Sequence, residues 1–488
     1  MTEEQTDRRR WIALYVLCVG MLMIVLDATI VNVALPSIKA QLGFTQSDLA
    51  WVLNAYLIAF GGFLLLAGRL GDLIGQRRVF LIGLGVFTAA SLLCGLAGSQ
   101  GMLIGARFLQ GLGGALTSAV ILGMIVTMFP ERREQAKAIG VFSFVASAGS
   151  AIGLLVGGVL TEAISWHWIF FVNVPIGLIT ALLALRLVDA RKGIGLSQGA
   201  DLPGATLVTS GLMLAVYTIL GVGEAGWGSL QTIGLGALSI ALVAGFFARQ
   251  ARIPNPLMPL RLFRSRTVTG SNAVMLLMTP GFFGLFFLGA LYLQGLLGYS
   301  PLEVGLAFLP ASIVMGVLSL GFAERLVVDF GARRTLVSGL AAGTLSLLLL
   351  ARAPLDAVYM IDVLAPIVLL GVGAGLMFPA LMTLAMEGAS DDDAGLASGL
   401  INTTAQVGGA VGLALLATVA SAVSLGRESA DPNVALNAGY HVAFLIGAAL
   451  MVAGITVALR ALPRDRAAEG GRESEQGVES EPAYHEAA

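Results

Sequence analysis

The sequence predicts an all-α polytopic membrane protein with fourteen transmembrane helices, arranged as two six-helix halves plus two inserted helices. Three observations predict it. The composition is too apolar for a soluble protein, fourteen apolar runs are long enough to span a bilayer, and the chain repeats itself internally.

Of 488 residues, 57% are apolar and 12% charged, and 63 are glycine. Soluble proteins carry about 25% charged residues. The 28 basic and 30 acidic side chains cannot cover the three soluble domains that this length would otherwise suggest at roughly 150 residues each. A soluble enzyme is therefore nearly excluded, and so is disorder except at the ends. Abundant glycine fits helices packed closely in lipid. The net charge of −2 gives no basic field to attract nucleic acid. No Lys follows a Gly, so the phosphate loop of an ATP-driven pump is missing. Cys18 and Cys94 lie in apolar runs and the three histidines are far apart, so no metal cluster is visible.

An apolar run of about 20 residues crosses the hydrocarbon core. In order, such runs cover 11–35, 49–68, 79–98, 102–128, 138–161, 166–188, 202–223, 230–248, 267–296, 301–323, 335–351, 359–386, 394–424 and 439–462. With the N-terminus inside, 24 of the 28 Lys and Arg fall on inner segments. Lys39, Arg352 and Arg427 fall outside, and Arg107 lies within a span. A wrong count would scramble this alternation, so the split supports an even number of spans with both termini cytoplasmic. The first span follows Arg8-Arg9-Arg10 but is too long for a signal-peptide core, contains an Asp and lacks a clear cleavage site. The expected organisation is a cytoplasmic N-terminus (1–10), a first six-helix half (11–190), inserted helices 7 and 8 with flanking loops (191–266), a second half (267–462) and a disordered acidic cytoplasmic tail (463–488).

The repeat rests on two patterns. Gly75-Gln76-Arg77-Arg78 after span 2 matches Gly331-Ala332-Arg333-Arg334 after span 10, an offset of 256. Gly140, Gly149 and Gly153 in span 5 match Gly399, Gly408 and Gly412 in span 13, an offset of 259. Parallel six-helix repeats with a substrate site between them describe one large transporter architecture.

An ionisable side chain inside a span costs at least ~2.5–3.5 kcal/mol at the centre on insertion scales and is functional by default. Asp27 in span 1 and Arg107 in span 4 are the two clear cases. At 1.5 Å per residue they lie about 24 Å and about 21 Å above the inner face, within one helical turn in depth. They can pair, or share a proton or a cationic substrate. Burial raises a carboxylate's proton affinity and an approaching guanidinium lowers it. Relative movement of the two would therefore switch proton binding, as a proton-coupled transporter requires. A buried ion pair that only fixes helix packing is the alternative. Gln110, one turn from Arg107 on the same face, orients the Arg or bonds a neighbouring helix. Asn32, Asn54, Asn272, Gln294, Asn402 and Gln406 are candidate cavity-lining amides, each with interhelical packing as its alternative.

Glycines of span 5, namely Gly140, Gly149, Gly153, Gly157 and Gly158, allow close approach of another helix. They serve either ordinary packing or a seal against the other half. The stretch Gly68–Arg78 mixes Asp72 and two glycine turn positions with Arg77 and Arg78. It is a topology anchor or an inner gate whose ion pairs form in one state and break in the other. Trp166, His167, Trp168 and Phe170 belong to an outer aromatic belt. Asp391-Asp392-Asp393 reads as a helix cap.

As a set these motifs resemble the major facilitator superfamily, and within it the fourteen-helix drug:proton antiporter branch. Leu26-Asp27-Ala28-Thr29-Ile30-Val31-Asn32-Val33-Ala34-Leu35-Pro36 is similar to that branch's span-1 signature. Gly68 to Arg78 is similar to the superfamily's loop 2–3 motif, and Arg107-Phe108-Leu109-Gln110-Gly111-Leu112-Gly113 to its span-4 motif. Trp168 to Pro175 also resembles the branch at span 6. The span-5 glycines match the antiporter motif except that Gly153-Leu154 stands where the family usually has Gly-Pro. The resemblance implies proton or substrate coupling for Asp27, and proton transfer for Arg107. It implies an inner gate at Gly68, Asp72, Gly75, Arg77 and Arg78, and export as opposed to uptake from the span-5 glycines.

The expected function is proton-coupled efflux of amphipathic drugs or antibiotics across the cytoplasmic membrane by alternating access. The chain would be a monomer in the lipid bilayer, using the proton gradient and no cofactor or metal. Two readings stay open beside it: a substrate-specific exporter or importer on the same fold, and a membrane sensor or scaffold that transports nothing.

Overall fold

The computed structural model describes residues 3–129, 131–190, 193, 195, 200–388, 394–427 and 431–463. Its long helices are α1 (Glu3–Leu42), α2 (Trp51–Ile74), α3 (Gln76–Gly95), α4 (Gln100–Met128), α5 (Arg132–Ala163), α6 (Asn173–Leu187), α7 (Leu202–Ala225), α8 (Leu230–Gln250), α9 (Arg266–Gly295), α10 (Pro301–Val317), α11 (Ala332–Leu350), α12 (Leu364–Glu387), α13 (Ala394–Leu425) and α14 (Pro432–Ala461). Among the described residues, twelve helices are long and apolar enough to cross a membrane. The tenth expected span appears as a shorter apolar helix, Pro301–Val317, and the fifth lies within the continuous helix α5. The tenth is cut short because the wide π-helical turn Leu318–Phe322 interrupts it before a short helix, Ala323–Phe330. The tail beyond 463 and Asp391–Asp393 lie outside the described residues.

Local sequence sets several helix starts. The side chains of Ser99, Asp201, Ser229 and Ser265 accept from backbone N–H groups three residues on, which have no partner within the helix. Ser300 and Glu303 form a reciprocal capping box with Pro301 at the first helical position. One expectation changes here. The supposed loop between spans 2 and 3 is a single residue, Gly75, at φ 98°. Gly68 and Gly71 are both helical, so of the glycines in this stretch only Gly75 turns the chain.

Helices α1–α6 pack among themselves, and α9–α14 repeat the same pairings. Helix α1 packs on α5 and α6 as α9 packs on α13 and α14, and α3 packs on α4 as α11 packs on α12. The two groups meet along two seams, α2 with α13 and α5 with α10. These seams are exchanged by the repeat, because α2 corresponds to α10 and α5 to α13. A further tie joins α1 to α9, where Gln294 Nε2 donates to the Val33 carbonyl at 2.8 Å.

Helix α7 lies over the α2–α13 seam. Its Thr209 packs against Gly62, and Thr418 of α13 donates to the Ile219 carbonyl at 3.1 Å. Helix α8 is held by α7, with Ser239 Oγ donating to the Gly211 carbonyl at 2.9 Å. Its other faces expose Leu230, Ile233, Leu238, Ile240 and Phe247, as a helix facing lipid does. One apolar core runs through both groups of six, from Ala13 to Leu462. Most described Arg residues gather at the end of the bundle that carries the start of α1 and the finish of α14, called the basic end below.

Candidate functional site

Asp27 of α1 and Arg107 of α4 meet in the interior of the first group of helices. Arg107 Nη1 donates to Asp27 Oδ2 at 2.6 Å, and neither side chain is more than 1% exposed. Burying two charges is costly unless they pair and their remaining hydrogen-bonding capacity is met. Here much of it is. Gln110 Nε2 and Asn173 Nδ2 donate to Asp27 Oδ1 at 2.6 and 3.0 Å. Arg107 Nε donates to the Val52 carbonyl at 2.9 Å, and Nη1 to Gln110 Oε1 at 2.7 Å. Gln110 Nε2 also reaches Ser91 Oγ at 2.8 Å, and Cys94 Sγ donates to Gln110 Oε1 at 3.5 Å. The guanidinium lies over the Tyr56 ring, 4.4 Å from its centroid, and 5.8 Å from that of Phe170, within cation–π range. Five helices, α1, α2, α3, α4 and α6, thus meet at one ion pair.

The pair found in depth from the sequence is therefore a direct contact, and Gln110 orients Arg107 while also holding Asp27. Sequence reasoning missed six contributors: Asn173, Ser91, Cys94, Tyr56, Phe170 and the Val52 carbonyl. Asn173 lies in the span-6 stretch already singled out, but polar residues of that kind recur throughout the spans, and a carbonyl leaves no sequence signal. Tyr56 Oη and Asn173 Oδ1 are buried with no hydrogen-bond partner among the described residues.

The span-5 glycines lie where helices touch. A Cβ at Gly149 would meet Leu22 and Val25, and one at Gly157 would lie 2.7 Å from Ile30 and Val33. Gly153 abuts Thr29 and Leu26. These three let α5 lie directly on α1. Gly158 faces the other way, onto the α10 backbone at Leu302, and Gly305 of α10 faces the Leu154 carbonyl. The surroundings of Gly140 lie outside the described residues.

The stretch Gly68–Arg78 lies at the basic end, across the close of α2 and the start of α3. Asp72 is exposed, and Arg77 donates to the Leu185 carbonyl near the end of α6. The physical reason is that the last carbonyls of a helix lack partners within it, and a guanidinium supplies donors. Gly68 has open space beside it, and Arg78 is exposed.

The candidate amides do not converge. Asn32 and Asn402 donate to carbonyls of their own helices. Asn272 accepts from Thr404 Oγ1 at 2.7 Å, linking α9 to α13. Gln294 joins α9 to α1 as described. Asn54 is buried with both side-chain polar atoms unpartnered, and Gln406 Oε1 is also unpartnered. At the end opposite the basic one, Trp166 Nε1 donates to Gln41 Oε1 at 2.6 Å, and His167 Nδ1 lies 2.9 Å from the Gly95 carbonyl.

Comparison with known proteins agrees with this architecture. Residues 17–413 match the family model of the Major Facilitator Superfamily. The chain is 39% identical over 457 residues to the puromycin resistance protein pur8 of Streptomyces alboniger, covering 92% of this chain and 90% of that one. It is 39% identical over 454 residues to the cephamycin export protein CmcT of Amycolatopsis lactamdurans, covering 92% of each. Among solved structures, an auto-inhibited POT family peptide transporter superposes with a TM-score of 0.66 over 93% of this chain and 98% of its own, at 16% identity, a likeness of fold. The chain is a transporter and not an enzyme, and it belongs to the Major Facilitator Superfamily.

Proposed function

We propose that the chain exports amphipathic drugs or antibiotics across the cytoplasmic membrane, with its basic end in the cytoplasm, driven by inward proton flow. The relatives named for resistance to, or export of, puromycin and cephamycin support drug efflux. The observation that carries proton coupling is the enclosed Asp27–Arg107 pair.

A proton taken up by Asp27 neutralises the carboxylate and cancels its attraction for the guanidinium. Arg107 then keeps the Val52 carbonyl, Gln110 Oε1 and the Tyr56 ring as partners, and the hold of α4 on α1 weakens from a charge pair to the Gln110 hydrogen bond. Helix α1 also bears α5 through the glycine contacts and touches α9 through Val33 and Gln294. Its movement is therefore felt at the contacts between the two groups of helices. Alternating access follows when protonation favours one arrangement of those contacts and substrate favours the other.

The test is substrate uptake into inside-out vesicles carrying the wild type, Asp27→Asn or Arg107→Ala. A pH gradient, acid inside, should drive uptake by wild type and not by Asp27→Asn. Wild-type uptake that ignores the gradient would sink proton coupling, and release of substrate from the vesicles under that gradient would sink export.

A further inference from the structure

Four of the five helices that meet at the Asp27–Arg107 pair also surround a second feature, about 14 residues along each of them. At the basic end, α1, α3, α4 and the finish of α6 border a cavity of about 190 Å³, room for several waters at ~30 Å³ each. Its lining includes Arg9, Arg10 and Arg77 beside the apolar Met124 and Leu187, with Asp189 at the rim. From Ala13, which also lines it, to Asp27 is about 21 Å along α1 at 1.5 Å per residue, so this site is separate from the ion pair.

Two acids border these guanidinium groups. Asp189 lies 3.5 Å from Arg9 and its side chain is 85% exposed, and Glu134 lies 3.7 Å from Arg10. Both separations exceed the 2.7–2.9 Å of a close charge-assisted hydrogen bond. Arg9 and Arg10 also donate to the Arg186 and Met128 carbonyls, and Arg77 to that of Leu185. Arg77 Nε, however, is buried without an acceptor among the described residues. A buried cationic donor left in that state is costly. An anion with several oxygens relieves it, and the guanidinium fork matches phosphate geometry. The apolar part of the wall, at the level where the spans end, suits the carbon next to a phosphodiester.

We propose that this cavity binds a phosphate group through Arg9, Arg10 and Arg77. The group is the headgroup phosphodiester of an anionic phospholipid, or free inorganic phosphate. Bound there, it ties the start of α1 to α3 and to the end of α6, and so braces the half that holds Asp27.

The test uses purified full-length protein. Native mass spectrometry counts retained phosphatidylglycerol, and thermal unfolding is followed in nanodiscs of phosphatidylcholine with or without phosphatidylglycerol, and in phosphatidylcholine with inorganic phosphate. Wild type should be stabilised by at least one of the two additions. Arg77→Gln should weaken that binding about tenfold, the loss of one charged hydrogen bond. Arg333→Gln removes the corresponding cap on α14, where Arg333 Nη2 donates to the Leu459 carbonyl at 2.6 Å, and should leave the binding unchanged. Ala13→Leu, which fills the cavity without altering charge, should abolish it even if Arg77→Gln does not fold. Stabilisation by phosphatidylglycerol alone assigns the lipid, and stabilisation by inorganic phosphate as well assigns the free ion. No stabilisation of wild type by either, or equal binding by wild type and Ala13→Leu, would overturn the proposal.

Discussion

Gly75 and Gly331 turn the chain in the same way, with φ of 98° and 91°, although 256 positions separate them. Each ends one helix and begins the next, and two residues on, Arg77 and Arg333 donate to the Leu185 and Leu459 carbonyls. The repeat thus extends from sequence to backbone conformation and to contacts between distant helices. With ψ of 131° and 151°, both sit in an extended positive-φ region that is close to glycine-only and costs an L-residue about 1–3 kcal/mol. Gly75→Ala and Gly331→Ala should each lower stability by about that much, measured by thermal unfolding in detergent.

Removing one member of a buried ion pair is worse than removing both, because a lone charge stays behind. Asp27→Asn or Arg107→Gln should each cost about 3–5 kcal/mol. The double variant should be less destabilised than the sum of the two, with a coupling of about 1–3 kcal/mol. Unfolding of the four proteins measures this. Strict additivity would mean that the 2.6 Å contact contributes little.

A second experiment concerns the α5–α10 seam. A Cβ at Gly158 would lie 2.7 Å from the Leu302 Cα, and backbone cannot turn aside as a side chain can. Gly158→Ala should destabilise the protein by about 1–3 kcal/mol, as overpacking does, and reduce efflux in a dye-accumulation assay. Gly85→Ala, with open space beside the glycine, should change neither.

Asp201 gives a pH dependence. Burial disfavours its charge, but hydrogen bonds from Arg249 at 2.6 Å, Gln250 at 2.6 Å and the Gly204 N–H at 2.9 Å, with the charge of Arg249, hold its carboxyl below the ordinary value. A depressed folded value means that the stabilisation is complete above the unfolded value, about 3.9, and is lost as pH falls through the lower folded one. Asp201→Asn should therefore reduce stability at neutral pH and flatten its dependence below about pH 4. Unfolding of both proteins across that range reads it out.

How far the sequence could be read depended on rarity. Asp27 and Arg107 stood out because charges are scarce in apolar runs, and counting residues along the helices placed them at one depth. Gln110 followed from helical spacing. Asn173 and Ser91 come from other helices, and nothing local marks one polar residue of a span above another. The Leu185 partner of Arg77 was not legible, because a carbonyl is something every residue carries. The crowding of Gly149, Gly153 and Gly157 on α1 was legible as close approach, but which helix came close was not. The same limit hid Gly158, whose neighbour Leu302 is reached only through the fold.

Helix α7 covers the α2–α13 seam, and among the described residues no inserted helix covers the α5–α10 seam. The perimeter of the molecule is therefore lopsided. A greasy solute that slips in sideways from the bilayer meets a caulked joint on one flank and a bare joint on the other. Labels attached along α5 and α10 would then report such a passenger, while the same labels along α2 and α13 would stay silent.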